Sequence, residues 1–160
     1  ITATGCSSQL KDLAHQFAGD KIWEPRAKAV ATAAADFIEL VQPRAVTPPR
    51  PLKVAYHPPC SLQNSLKLNG RGEILLQAAG LTLTPFGESH ICCGSAGSYA
   101  ILQPELSGAL KARKLGHIRA ALPDAIVSGK IGCIQQLSGP TPVLHLAEIL
   151  DWAEGGETAF

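Results

Sequence analysis

The sequence predicts an α/β fold: a mainly parallel sheet flanked by helices in Rossmann-like layers, with cysteines at the carboxyl ends of the strands. Three observations predict it. Short apolar runs alternate with amphipathic stretches long enough to be helices. A hydrophobic content of 46% over 160 residues can bury a core without help from disulfides. Four of the five cysteines follow predicted strands, and in an open parallel sheet those strand ends lie along one edge.

Residues 1–6 read as the end of a β-strand and the turn after it, and the chain has no Met, so it reads as a piece of a longer protein. Residues 8–17 predict a helix. Pro25 suits the first turn of a long second helix. In that helix Ala27, Val30, Ala31, Ala34, Phe37, Ile38 and Val41 recur every three or four residues, predicting one buried stripe that ends near Pro43. Residues 44–51 hold Pro48, Pro49 and Pro51, which fit neither regular structure, and predict a linker. The expected organisation is therefore a tail of a preceding repeat over 1–43, the Pro-rich linker over 44–51 and the main domain over 52–160.

Within that domain, 52–56 predict a strand, and the turn His57-Pro58-Pro59 delivers Cys60 to a short helix ending near Leu66. Residues 73–79 predict a helix closed by Gly80, and 81–86 a second strand. A loop through Cys92-Cys93-Gly94 leads into a helix opened by Pro104 and running to Leu122. Residues 124–128 predict a third strand, which empties into Gly132-Cys133. A short strand at Val143 and a helix with Leu146, Ile149, Leu150 and Ala153 on its apolar face complete the domain. A weak internal repeat relates Gly5-Cys6 and Gln9-Leu10 to Gly132-Cys133 and Gln136-Leu137; each copy is expected to follow a strand.

Fourteen basic and thirteen acidic residues leave a net charge of +1, without the basic field that collects on nucleic acid or anionic membranes. The longest apolar stretches fall short of the ~20 residues of a membrane helix. A soluble, cytoplasmic protein with protein or small-molecule partners is expected. Five cysteines, an odd number with two adjacent, fit metal or redox chemistry better than a disulfide framework.

Cys60 is followed after 31 residues by Cys92-Cys93, and after 39 more by Cys133. Strand ends along one edge would let these four meet, and a loop entering a helix lets adjacent sulfurs reach one site. Backbone N–H groups at such a helix start stabilise thiolates. Thiolate ligands favour an iron–sulfur cluster over structural zinc, whose close Cys or His pairs are absent. The competing reading is that buried cysteines are simply core residues. His57 and His90, each within three residues of a proposed ligand, read equally as hydrogen-bond donors to a bound group or as histidines packed in turns, and neither is assigned to the site. Cys6 reads as an orphan thiol. Cys93-Gly94-Ser95 echoes a thiol hydrolase motif, but Ala96 and Gly97 break it, and Gly94 to Ser98 lacks the Lys of a phosphate loop.

Three segments carry a family resemblance: Tyr56 to Cys60, Glu88 to Tyr99 and Ile131 to Cys133. They resemble the cysteine-rich CCG module of glycolate oxidase iron–sulfur subunits, which occurs also in lactate-utilisation proteins, anaerobic glycerol-3-phosphate dehydrogenase C subunits and heterodisulfide reductase B subunits. Residues 102–107 and 142–151 resemble the glycolate oxidase subunit in particular, and 6–41 the tail of a preceding CCG copy. The resemblance implies a non-catalytic electron-transfer component with a flavin-containing catalytic subunit as partner. That component would pass electrons from glycolate or another 2-hydroxy acid toward the respiratory chain. It implies a ferredoxin-like N-terminal region of the same protein as a second partner, and association with the inner membrane only through partners. The family's fullest motif ends in Cys-x-x-Cys, whose last position here is Gln136. The implied cofactor is thus a single 4Fe–4S cluster on Cys60, Cys92, Cys93 and Cys133. The alternative is a zinc- or thiol-containing interaction domain that docks a catalytic subunit.

Overall fold

The computed structural model describes residues 1–157. Its sheet contains β1 (Lys53–Tyr56), β2 (Thr82–Leu83), β3 (Ala125–Ser128) and β4 (Val143–His145), all parallel, in the order β2-β1-β3-β4. The helices are α1 (Thr4–Gln16), α2 (Trp23–Ala33), α3 (Phe37–Leu40), α4 (Arg71–Ala78), α5 (Tyr99–Leu102), α6 (Pro104–Ala120), α7 (Ile131–Leu137) and α8 (Leu146–Ala153). A single π-helical turn, Ser61–Ser65, follows β1. No helix among the described residues is long and apolar enough to cross a membrane.

The central strands are buried on both faces, which is why they read as continuous apolar runs. Val54, Tyr56, Ala125 and Val127 face one core with Leu75, Leu76, Ile149 and Trp152. Ala55 and Ile126 face a second with Leu115, Ile118, Leu137 and two cysteines, Cys93 and Cys133. Each fully buried leucine or isoleucine contributes about 1.5–3 kcal/mol, so the two layers hold the sheet from both sides.

The order of the strands positions the site. From β1 the chain goes outward to β2; it then returns past β1 to β3 and continues to β4 on the other side. The winding therefore reverses between β1 and β3, and a crevice opens beyond the carboxyl ends of such a strand pair. His57 and Cys60 follow β1, and Cys133 follows β3.

Several expectations need correction. Residues 1–3 are irregular and Cys6 lies inside α1, so the strand end and turn expected over residues 1–6 are not formed. The long second helix is two helices, because Asp36 accepts from the Ile38 N–H and, with Glu39, forms a capping box that starts α3 anew. Its stripe is not buried as a whole: Ala27 and Ile38 are buried, while Val30 is 45% exposed. β2 is only two residues long, since Pro85 cannot donate to a ladder.

The first 43 residues pack onto the rest. Thr4 N–H donates to Gly129 O, the Thr4 and Ser8 hydroxyls meet those of Ser61 and Ser65, and Arg71 donates to the carbonyls of Ile38 and Val41. Ile38 itself joins the core around Val54. His145 caps α8 by accepting from Ala147 N–H, and its Nε2 donates to Thr2 O at 2.7 Å.

Candidate metal centre

Four cysteines converge on the crevice. Cys60 heads the π-helical turn after β1, Cys92 and Cys93 sit in the loop between β2 and α5, and Cys133 is the third residue of α7. In the order Cys60, Cys92, Cys93, Cys133, neighbouring sulfurs lie close enough to shift one another's titration, and those of Cys93 and Cys133 lie within 4.8 Å of each other and of a His57 ring nitrogen. All are free thiols; Cys93 and Cys133 are buried, and Cys60 and Cys92 are partly exposed. Cys6 is exposed on α1 and is not among them. The adjacent pair is not at a helix start as the sequence suggested, for α5 begins only at Tyr99. Loop amides take that part: Gly94 N–H donates to Cys92 Sγ at 3.3 Å, and the Ser95 backbone to Cys93.

Close neighbours divide the protons unequally. Cys92 is held far below the ordinary thiol range, first by hydrogen bonds from Cys60 and Cys93 and then by Gly94 N–H, against a burial that works the other way. Cys133 is lowered to about 5, first by the Cys93 thiol and then by the His57 ring, again against burial. Cys60 and Cys93 are pushed up, Cys60 by its bond to Cys92 and Cys93 by its bonds to Cys133 and Cys92, with burial adding to both. The thiolate, the form that binds metal, is therefore favoured at Cys92 and Cys133 and disfavoured at Cys60 and Cys93.

His57 belongs to this site, although the sequence reading left it out. It is 1% exposed, its Nδ1 has no hydrogen-bond partner, and a ring nitrogen lies with the sulfurs of Cys93 and Cys133 inside a 4.8 Å group. Its backbone is clamped: its N–H donates to Val127 O at 2.8 Å, and its carbonyl accepts from Ser128 Oγ at 3.0 Å. A signal was available, since side chains alternate along a strand. Ala55 faces the Cys93 core, and His57, two residues on, points the same way. His90 is exposed and is not part of the group.

The loop holding the pair is braced by packing. Gly94 has φ +91°, and a Cβ there would stand 2.5 Å from Ser107 O. The Ser107 hydroxyl donates to Gly94 O at 2.9 Å, and Gln136 Nε2 donates to the Ser107 hydroxyl at 3.0 Å. Gln136, at the position of the family motif's last cysteine, therefore holds the loop. Gly132 allows a similar approach, because its Cβ would stand 2.6 Å from Ser95 Oγ. Lys114, 2% exposed, donates to the carbonyls of Glu88 and Ser89 and lies 5.4 Å from the Phe86 ring. Burial lowers its pKa, and the nearby Cys93, Glu88, Cys92 and Cys133 oppose that.

A parallel α/β module with four cysteines and a buried histidine gathered at its switch point belongs to the class of cysteine-rich modules with the donors for metal or redox chemistry. The donor set of four sulfurs and one imidazole is soft, which suits iron–sulfur clusters and zinc rather than calcium or magnesium. The chain belongs to the CCG cysteine-rich domain family, whose match covers residues 54–138. It is 36% identical over 159 residues to the glycolate oxidase iron-sulfur subunit of Escherichia coli (strain K12), covering 95% of this chain and 39% of that protein. It is also 26% identical over 158 residues to lactate utilization protein A of Exiguobacterium sp. (strain ATCC BAA-1283 / AT1b), covering 91% of this chain and 64% of that one. The same-named protein of Geobacillus kaustophilus (strain HTA426) is 28% identical over 164 residues, covering 94% and 69%. The chain thus spans about two fifths of the first of these relatives and under two thirds of the second.

Proposed function

We propose that this chain is an electron-transfer module that holds an iron–sulfur cluster of the 4Fe–4S type on Cys60, Cys92, Cys93 and Cys133. The observation that supports it best is the convergence of Cys60, Cys92, Cys93 and Cys133 at the switch point of the sheet, with Cys92 and Cys133 biased toward the thiolate. When bound, such a cluster accepts and gives up one electron at a time. The chain's own residues hold the sulfurs, keep water from the Cys93 and Cys133 side and, through the Gly94 and Ser95 amides, donate hydrogen bonds to sulfur. His57 is buried against the same sulfurs and is placed to donate to Cys133 or to hold a proton beside it. By likeness to the relatives, the electrons would come from a flavin-containing subunit that oxidises glycolate or another 2-hydroxy acid, and would pass toward the respiratory chain. A ferredoxin-like region of the same protein would continue the path.

A second reading has its own support. His57, Cys93 and Cys133 lie close enough to share one ion, and with a third sulfur as fourth ligand they would suit tetrahedral zinc in a domain that docks a catalytic subunit. Anaerobic reconstitution with iron and sulfide, followed by metal analysis and low-temperature EPR, separates the two. About four irons per chain with a cluster spectrum is expected; stoichiometric zinc that iron and sulfide do not displace would leave the docking domain. Cys93→Ser is expected to lose the iron while the far-ultraviolet circular dichroism stays near that of the parent, and full iron retention in that variant would remove Cys93 from the ligand set.

A further inference from the structure

The thiol crevice has two unlike ends. Cys60 and Cys92 are partly exposed, whereas Cys93 is 1%, Cys133 2% and His57 1% exposed. At the buried end the sulfurs of Cys93 and Cys133 and a ring nitrogen of His57 all lie within 4.8 Å of one another. His57 is fixed there by its backbone, whose N–H and carbonyl are both taken up by β3 through Val127 O and Ser128 Oγ. Its Nδ1 has no hydrogen-bond partner. A buried imidazole nitrogen without a partner costs free energy unless something meets it.

Spacing and charge narrow what that is. With bonds of ~2.3 Å to sulfur and ~2.0–2.1 Å to nitrogen, donors to one tetrahedral ion stand roughly 3.5–3.8 Å apart. Cysteines on different irons of a cluster stand further apart, because a metal–metal distance is added to the two bonds. The group of His57, Cys93 and Cys133 is therefore of the size that closes on a single ion with small shifts. A buried charge must also be compensated. Two thiolates and a neutral imidazole balance a divalent cation, which another thiolate would overshoot, and such soft donors suit iron rather than calcium or magnesium.

We propose that His57, Cys93 and Cys133 bind a single ferrous ion before any sulfide is present, as the first iron the site takes up. The inference rests on the iron–sulfur reading of these cysteines and adds an order of loading to it. As the two Fe–S bonds form, the Cys93 and Cys133 thiols release their protons to solvent, and no electron moves. Three protein ligands leave the fourth tetrahedral position for sulfide, unlike the closed set of a structural zinc. Cys60 and Cys92, on the solvent side, are not needed for this step.

The test is anaerobic equilibrium dialysis of the metal-free chain against Fe2+ without sulfide, repeated with Co2+, whose visible spectrum reports thiolate ligation. About one ion per chain is expected. Cys60→Ser is expected to keep that ion while losing the four-iron loading, and His57→Ala to weaken it about tenfold or more. Because residue 57 is clamped by backbone groups, His57→Ala is expected to retain the parental circular dichroism. A measurement that needs no variant is proton NMR of the Co2+-loaded parent, where one strongly shifted imidazole N–H resonance is expected. No ion bound without sulfide, loss of the ion in Cys60→Ser, full affinity in a folded His57→Ala chain or no shifted imidazole would each overturn the proposal. Single-ion binding by a chain that takes up no further iron when sulfide is added would leave this site standing and remove the cluster reading instead.

Discussion

Gly94 is under two constraints at once. Its φ of +91° disfavours any L side chain, and a Cβ would press on Ser107 O at 2.5 Å. Gly94→Ala is expected to cost about 2–4 kcal/mol, the sum of left-handed backbone strain and overpacking. Urea unfolding of the metal-free chain measures it, and a change below about 1 kcal/mol would mean that the loop relaxes freely. The same glycine carries the amide that donates to Cys92 and the carbonyl that Ser107 holds. Residue identity was legible here: the pair Cys92-Cys93 followed by glycine marked the loop. The role of Gln136 was not, because only the fold brings Ser107 of α6 between it and Gly94.

Helix α6 ties the cysteine loop at two places, through Ser107 on Gly94 and through Lys114 on the carbonyls of Glu88 and Ser89. Arg113 adds a bidentate but exposed pair with Glu88, which contributes little. Lys114→Met would keep the buried stem and remove the donor, leaving two carbonyls unpaired at a cost of about 1–3 kcal/mol. If a cluster is bound, loss of a cation near Cys93, Cys92 and Cys133 is expected to make its reduction potential more negative, read by redox titration followed by EPR. An unchanged potential would show that this charge is not felt at the sulfurs. The start of α6 was legible from Pro104, and α4 with Gly80 behind it was legible too. The break between α2 and α3 was missed because apolar periodicity ran through it, while a buried Asp36, held by Ser7 Oγ at 2.5 Å, overrode the pattern.

Over the whole molecule, the contacts of the first 43 residues decide how the chain unfolds. Trp23 on α2 and Trp152 on α8 report on the two ends of the fold, with α1 bonded to Gly129, Ser61 and Ser65 between them. Single-tryptophan variants, Trp152→Phe and Trp23→Phe, are expected to give coincident urea transitions, the sign of one cooperative unit. An earlier transition at Trp23 would make residues 1–43 a separately melting module, in keeping with their reading as the tail of another repeat.

The amino-acid pattern alone determined the α/β class, the positions of β1 and β3 and the four cysteines at strand ends. These follow from local causes: apolar runs, turn residues and the period of two or 3.6 along the chain. Tertiary structure decided which sulfurs come near one another, which of them are biased toward the thiolate, and that His57 joins them. Those facts depend on the order β2-β1-β3-β4 and on side-chain approach across distances that sequence spacing does not encode.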